Sequence, residues 1–264
     1  MTSDAAPIRE RKSAAWWDAF WTRPLNARGR ALTCRRTAEE TLGLLGPELA
    51  RLGAHQAERP STRRLRVLDL GCGHGDLTPL LLHESRLEIV AMDLSGAALA
   101  QFAARLDATP CPPTDRLQLV RASVYELPFP DATFDAVVSF GYASAASYEG
   151  AEWELARVLR PGGVAIVDFA NPSLYHWLAA PGPSWRWLSR YRNPSENQYH
   201  FGRRGLSEHF GPAGLQLEGL RYVNAYPPLE RLAGVPWSAD LDRWLASVGG
   251  PLLGRVLLAK LRRT

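Results

Sequence analysis

The chain has 264 residues, 46% hydrophobic and 22% charged, enough apolar material for one α/β domain with additions or two small domains. Its net charge of +4 and pI near 9.1 describe a solvated surface and are too weak to specify nucleic acid. The cysteines Cys34, Cys72 and Cys111 fit neither a disulfide framework nor a zinc spacing, and no run reaches the roughly 18 apolar residues of a membrane span.

Residues 1–12 are polar and read as a frayed end. No apolar core of a signal peptide stands there, so the expectation is a cytoplasmic protein. Trp16, Trp17, Phe20 and Trp21 recur at helical spacing. The stripe reads either as an aromatic face packed on the core or as a lid over a pocket. Asp18 and the absence of Lys on the stripe argue against membrane attachment. Thr37 to Leu52 reads as a second helix, with Leu42, Leu45, Leu49 and Leu52 on one face. Residues 53–64, containing Pro60, read as a linker.

Leu65 to Leu70 reads as a short buried strand. The turn Gly71-Cys72-Gly73-His74-Gly75-Asp76 follows, then a helix from about Leu77. Such a strand, glycine turn and helix make a cradle for a nucleotide-type ligand, because glycine admits close approach and the helix start offers unpaired N–H groups. A phosphate loop would need Gly-Lys-Ser/Thr, and His74-Gly75-Asp76 has no Lys. A dinucleotide turn would need a third glycine where Asp76 stands. The third possibility is an acid two residues before G-x-G-x-G, which Asp69, Gly71, Gly73 and Gly75 match. Asp69 suits a ligand with an ammonium group and would repel a pyrophosphate. Leu87 to Asp93 reads as the second strand. Asp93 lies about 20 residues past the glycines, where a ribose-binding carboxylate belongs, although it also reads as a helix cap. Ser95 is placed to cap a helix over Gly96 to Leu106.

Asp69 with the three alternate glycines resembles the class I S-adenosylmethionine-dependent methyltransferases. Further signatures follow in family order. Ala122-Ser123-Val124-Tyr125-Glu126-Leu127-Pro128-Phe129 and then Phe134-Asp135 resemble the family's Gly-Asp-Ala-x-x-Leu-Pro-Phe segment, with Ser123 where the family has Asp. Trp153 to Leu159 with Arg160-Pro161-Gly162-Gly163 resembles its next helix and turn into a strand at Val164 to Phe169. The match is good over Leu65 to Phe169 and loose beyond.

The resemblance implies an α/β fold: a doubly wound, seven-stranded, mostly parallel sheet with an N-terminal helical lid and an aromatic-rich insertion after the fifth strand. The chain reads as a single domain over 1–264, divided into a lid (1–60), a cofactor-binding core (65–170), the insertion (171–202) and the last helix and strands (203–264). The implied cofactor is S-adenosylmethionine, with Asp69, Gly71, Cys72 and Gly73 in the first turn. Asp93 would hold the ribose and Leu94 would pack on the adenine. Ser123 and Val124 would lie by its amino group, and Ser139 and Phe140 at the exit of the fourth strand, Phe134 to Phe140. Leu252 to Leu261 reads as helix or strand, and the family pattern favours an antiparallel strand.

The implied activity is methyl transfer to a small acceptor, apolar or aromatic because the additions are rich in Trp and Tyr, of natural-product, quinone or lipid type. Trp17, Trp21, Tyr142, Tyr175 and Tyr199 are the expected acceptor contacts. The insertion reads as a roof over the pocket or a second small core. The expected mechanism is alignment of donor and acceptor, with a base needed only for a hydroxyl or protonated amine. The family's His pair after the fourth strand is replaced by Ser144-Ala145, which leaves His200 as the candidate base for an oxygen acceptor, with His176 and Tyr142 in reserve; no metal is expected. An RNA or protein methyltransferase, or a non-catalytic relative that binds the cofactor, is the alternative. Nucleic acid is not expected as a partner, and the chain reads as a monomer or homodimer.

Overall fold

The computed structural model describes residues 13–22, 27–57, 63–108, 114–139, 150–170, 203–223, 238–253 and 256–264. In chain order the elements are α1 (Ala14–Trp21), α2 (Ala27–Ala57), β1 (Leu65–Leu70), α3 (Thr78–Leu81), β2 (Leu87–Asp93), α4 (Gly96–Asp107), β3 (Leu117–Arg121), β4 (Phe134–Ser139), α5 (Ala151–Val158), β5 (Leu159–Ala170), α6 (Arg203–Phe210), β6 (Leu215–Val223), α7 (Ser238–Leu253) and β7 (Val256–Arg263). The strands form one sheet in the order β3-β2-β1-β4-β5-β7-β6. Neighbours from β3 to β5 are parallel, and β7 runs antiparallel to both β5 and β6. This is the expected doubly wound, mostly parallel, seven-stranded sheet.

Central strands are mostly apolar because both faces are covered, as parallel sheets require. All six residues of β4 are buried. Alternate side chains enter different cores. Leu68, Leu70, Val137, Ala165 and Val167 pack with Leu155 of α5 and Leu206 and Phe210 of α6. Val67, Ala136, Val138, Val164 and Ile166 pack with Ala38, Leu45 and Leu49 of α2 and Leu81 of α3. Strand order reverses between β1 and β4, so a crevice opens at their carboxyl ends, where open α/β sheets bind ligands.

Several expectations change in detail. The helix after the glycine turn is a single turn, Thr78–Leu81, since β2 begins again at Leu87. The second helix extends through Ala57, so 53–57 is helix rather than linker. Arg160-Pro161-Gly162-Gly163 does not precede β5 but lies inside it as an irregularity. Phe134 pairs with Leu159 and Ala136 with Val164, so the extra residues bulge, with Gly162 at φ 75°. Leu252 and Leu253 end α7, and the expected antiparallel strand starts at Val256. Helix α7 was not legible beforehand. Phe140, the last residue of the expected fourth strand, and the aromatic insertion lie outside the described residues. Among the described residues no helix is long and apolar enough to cross a membrane.

Candidate functional site

Leu70 at the end of β1 pairs with Ser139 at the end of β4, and the glycine turn starts at this crevice. Gly71, Gly73 and Gly75 have φ of 75°, 55° and 80°, a region where side chains are strained. Two of them are also needed for space. A Cβ on Gly73 would lie 2.7 Å from the Trp21 ring, and one on Gly75 would lie 2.3 Å from the Phe102 ring. The amides of Gly71 and Cys72 donate to the Met92 carbonyl at 2.8 and 2.9 Å, tying the turn to the end of β2. Cys72 is buried, and burial pushes its thiol pKa well up, so it presents a neutral thiol.

Two buried carboxylates flank the turn. Asp69 is fully buried. Its Oδ2 accepts the Thr78 hydroxyl at 2.5 Å, while Oδ1 has no hydrogen-bond partner among the described residues. Burial raises its pKa to about 7, against the Thr78 hydrogen bond and with help from the charge of Asp93. Asp93 accepts the Gly73 amide at 2.9 Å on Oδ2 and the Ser95 amide at 2.8 Å on Oδ1. Burial also raises its pKa, opposed by those amides and assisted by the nearby Asp18. Neither acid has a cation among these partners. Ser95 caps α4 by accepting the Ala98 amide at 3.1 Å, so Asp93 orders the turn before the helix rather than capping it.

The remaining expected residues divide. Leu94 is half-buried beside Asp93, and its carbonyl accepts Arg121 Nε at 3.1 Å. Ser123 accepts the Tyr125 amide at 3.3 Å and bridges to Glu126, so its hydroxyl serves a local turn. The side chain of Val124 belongs to the core, which leaves its backbone for any ligand. Ser139 is buried at the strand end. Trp17 lies edge-on to Trp16 and Phe20. Trp21 covers Gly73 and meets the His74 ring edge-on at 5.0 Å. Phe140, Tyr142, Tyr175, Tyr199 and His200 lie outside the described residues. Among those described, no group of three or more His, Cys, Asp or Glu could hold a metal ion.

Asp18 was read from the sequence only as a charge unfavourable to a membrane. It accepts the Ser95 hydroxyl at 2.6 Å and the Ala97 amide at 3.0 Å. Thr78 was also missed. The one signal in the sequence was its place as a hydroxyl at the start of the helix after the turn.

S-adenosylmethionine carries an ammonium group and two ribose hydroxyls. Asp69 Oδ1 is a buried acceptor with no donor among the described residues, which suits an ammonium. Each oxygen of Asp93 takes one amide and retains capacity for a hydroxyl. The acceptors present therefore fit this cofactor, which Asp69 and Asp93 would hold.

Residues 67–163 match a protein family described as a methyltransferase domain. A demethylmenaquinone methyltransferase of Thermus thermophilus is 37% identical over 110 residues, which span 40% of this chain and 48% of that protein. A ubiquinone/menaquinone biosynthesis C-methyltransferase of Cronobacter sakazakii is 35% identical over 115 residues, 42% of this chain and 45% of that protein. The chain thus spans about half the length of these relatives. An S-adenosylmethionine-dependent methyltransferase structure from Mesorhizobium loti shares the fold at TM-score 0.51 and 22% identity, covering 80% of this chain and 96% of that one.

Proposed function

We propose that this chain, which carries a methyltransferase domain of the class I S-adenosylmethionine-dependent kind, transfers the donor's methyl group to a ring carbon of a small quinone-type acceptor. The observation that carries the reading is the pair of buried carboxylates without a cation, Asp69 and Asp93, on either side of the glycine turn at the β1/β4 crevice. The named quinone methyltransferases among the relatives support the acceptor class, and so does the aromatic character of the additions.

The cofactor supplies an activated methyl on a positively charged sulfur. What remains for the chain is alignment, worth roughly 7–11 kcal/mol of the barrier, and exclusion of water. Asp93 holds the cofactor's ribose and Asp69 its ammonium group. A ring carbon that gains the methyl must give up its proton, so a base has a task. His200 is our proposed base, because it stands at the edge of the aromatic insertion and no His pair follows β4. Tyr142, Tyr175 and Tyr199 are proposed to line the acceptor. The chain acts as a single cytoplasmic domain in this reading.

Incubation with isotopically labelled donor tests it against a panel of demethylated quinones, phenols, amines and transfer RNA. Label on the ring carbon of a quinone is the expected result. Label on RNA or protein would replace this function with the other class. Should calorimetry find NAD binding in place of S-adenosylhomocysteine, the domain assignment itself fails.

A further inference from the structure

Helix α1 buries none of its residues, yet it is fastened by polar contacts far along the chain. Asp18 Oδ1 accepts both the Ser95 hydroxyl at 2.6 Å and the Ala97 amide at 3.0 Å. Asp18 Oδ2 lies 3.4 Å from the Arg121 guanidinium. Gln101 Nε2 donates to the Trp21 carbonyl at 3.0 Å. Ser95 and Ala97 sit at the first turn of α4, where backbone N–H groups lack helical partners and a carboxylate is stabilised, while Gln101 stands one turn further on. The Ser95 hydroxyl and the Ala97 amide hold the Asp18 pKa below the usual carboxylate range.

Ser95 joins this contact to the cofactor's acid. Its amide donates to Asp93 Oδ1 at 2.8 Å. Its hydroxyl donates to Asp18 and accepts from the Ala98 amide at 3.1 Å. One residue thus serves the α4 cap, the ribose acid and the N-terminal helix. With Asp18 docked, the Trp21 ring comes to rest on Gly73, the residue whose amide holds the other oxygen of Asp93.

We propose that Asp18 is a positioning residue for the cofactor: it latches α1 to the start of α4 so that Trp21 forms a wall of the cofactor site over Gly73, and release of the cofactor requires the latch to open. Trp21 then contacts the cofactor rather than the methyl acceptor. The inference rests on the reading of Asp93 as the ribose acid.

The test has two arms. Amide hydrogen exchange of the full chain without ligand reports the latch. Dissociation of S-adenosylhomocysteine, followed by stopped-flow competition, reports its effect on the site. Asp18→Ala is expected to speed exchange across 14–22 and to raise the dissociation rate about tenfold. Ser95→Ala, which leaves the Ala97 amide to hold Asp18, should move both in the same direction by less. Trp21→Ala should raise the dissociation rate while Asp18 still protects the Ser95–Ala98 turn. Unchanged exchange in Asp18→Ala would show that no latch exists. Faster exchange with a dissociation rate within about twofold of wild type would make Asp18 a structural cap only. If wild type fails to bind S-adenosylhomocysteine, the cofactor reading falls, and the exchange arm still decides whether Asp18 holds α1.

Discussion

Buried carboxylates stand at both ends of the sheet, and the two ends treat them in opposite ways. At the amino ends of the strands, Asp135 accepts both guanidinium nitrogens of Arg63 at 2.9 and 2.8 Å, Arg160 at 2.9 Å and the Arg66 amide at 2.8 Å. Burial raises its pKa, but these donors outweigh burial and lower it. Glu48 is gripped by Lys260, Arg51 and Arg262, and against burial they hold it at about 2. At the carboxyl ends, Asp69 and Asp93 meet hydroxyls and amides but no cation among their hydrogen-bond partners, and both pKa values rise. A buried charge is costly unless paired. The amino-end acids are completed by the protein itself. The carboxyl-end acids are left without such cations among their hydrogen-bond partners, at a cost to stability.

Substitutions at the two ends should have different effects. The largest effect is expected at Asp93. Asp93→Ala removes two charge-assisted acceptor positions worth about 1.5–3 kcal/mol each, so affinity for S-adenosylhomocysteine should fall at least about 10²-fold in calorimetry. An unchanged affinity would move Asp93 into the structural group with Asp135.

Next comes the converse substitution. Asp135→Ala strands Arg63, Arg160 and the Arg66 amide together. Both arginines are about a third exposed, so the cost lies near the lower end for breaking a buried pair, about 3 kcal/mol in denaturant unfolding. The folded fraction should bind cofactor as wild type does. Loss of affinity without loss of stability would erase the division between the two ends.

A smaller effect concerns protons. Asp69 titrates at about 7 in the free protein, and an ammonium ligand favours its ionised form. Affinity should therefore rise with pH up to about 7, by at most about tenfold per unit, and then level off. Binding below that pH should release a proton, visible as calorimetric heats that depend on the buffer. Asp69→Asn should show neither effect. For folding the sign is reversed: a raised carboxyl pKa makes Asp69 cost stability as pH climbs from its ordinary 3.8 towards 7.

The smallest effect is at Glu48. Its lowered pKa stabilises the fold above its ordinary 4.5, and that contribution fades as pH falls from 4.5 through about 2. Glu48→Gln should flatten this part of an acid-unfolding curve by about 1 kcal/mol. Glu218 remains to pair with Lys260 and Arg262, which limits the loss. An acid limb identical to wild type would show that the cluster is redundant.

Short-range chemistry was legible in the sequence. The turn needs glycine at Gly71, Gly73 and Gly75 because each has positive φ, and strand β2 was bounded correctly because apolar runs and a terminal acid are local signals. The cap at Ser95 followed from the same local signals, and the seven-stranded, mostly parallel sheet from the resemblance. Partnership across the chain was not legible. Nothing near Asp18 in the sequence reveals that its carboxylate meets Ser95, 77 residues on, or that Trp21 lies on Gly73. The G-x-G-x-G after Asp69 marks it as a candidate for a ligand site, but no local pattern tells its ionisation from that of Asp135, since each is an acid in a buried strand. Only the packed structure separates them, because a carboxylate's ionisation depends on which donors the fold brings within hydrogen-bond reach. Residue type fixed where acids and glycines stand; long-range packing decided which acids meet the protein's own cations and which meet only hydroxyls and amides.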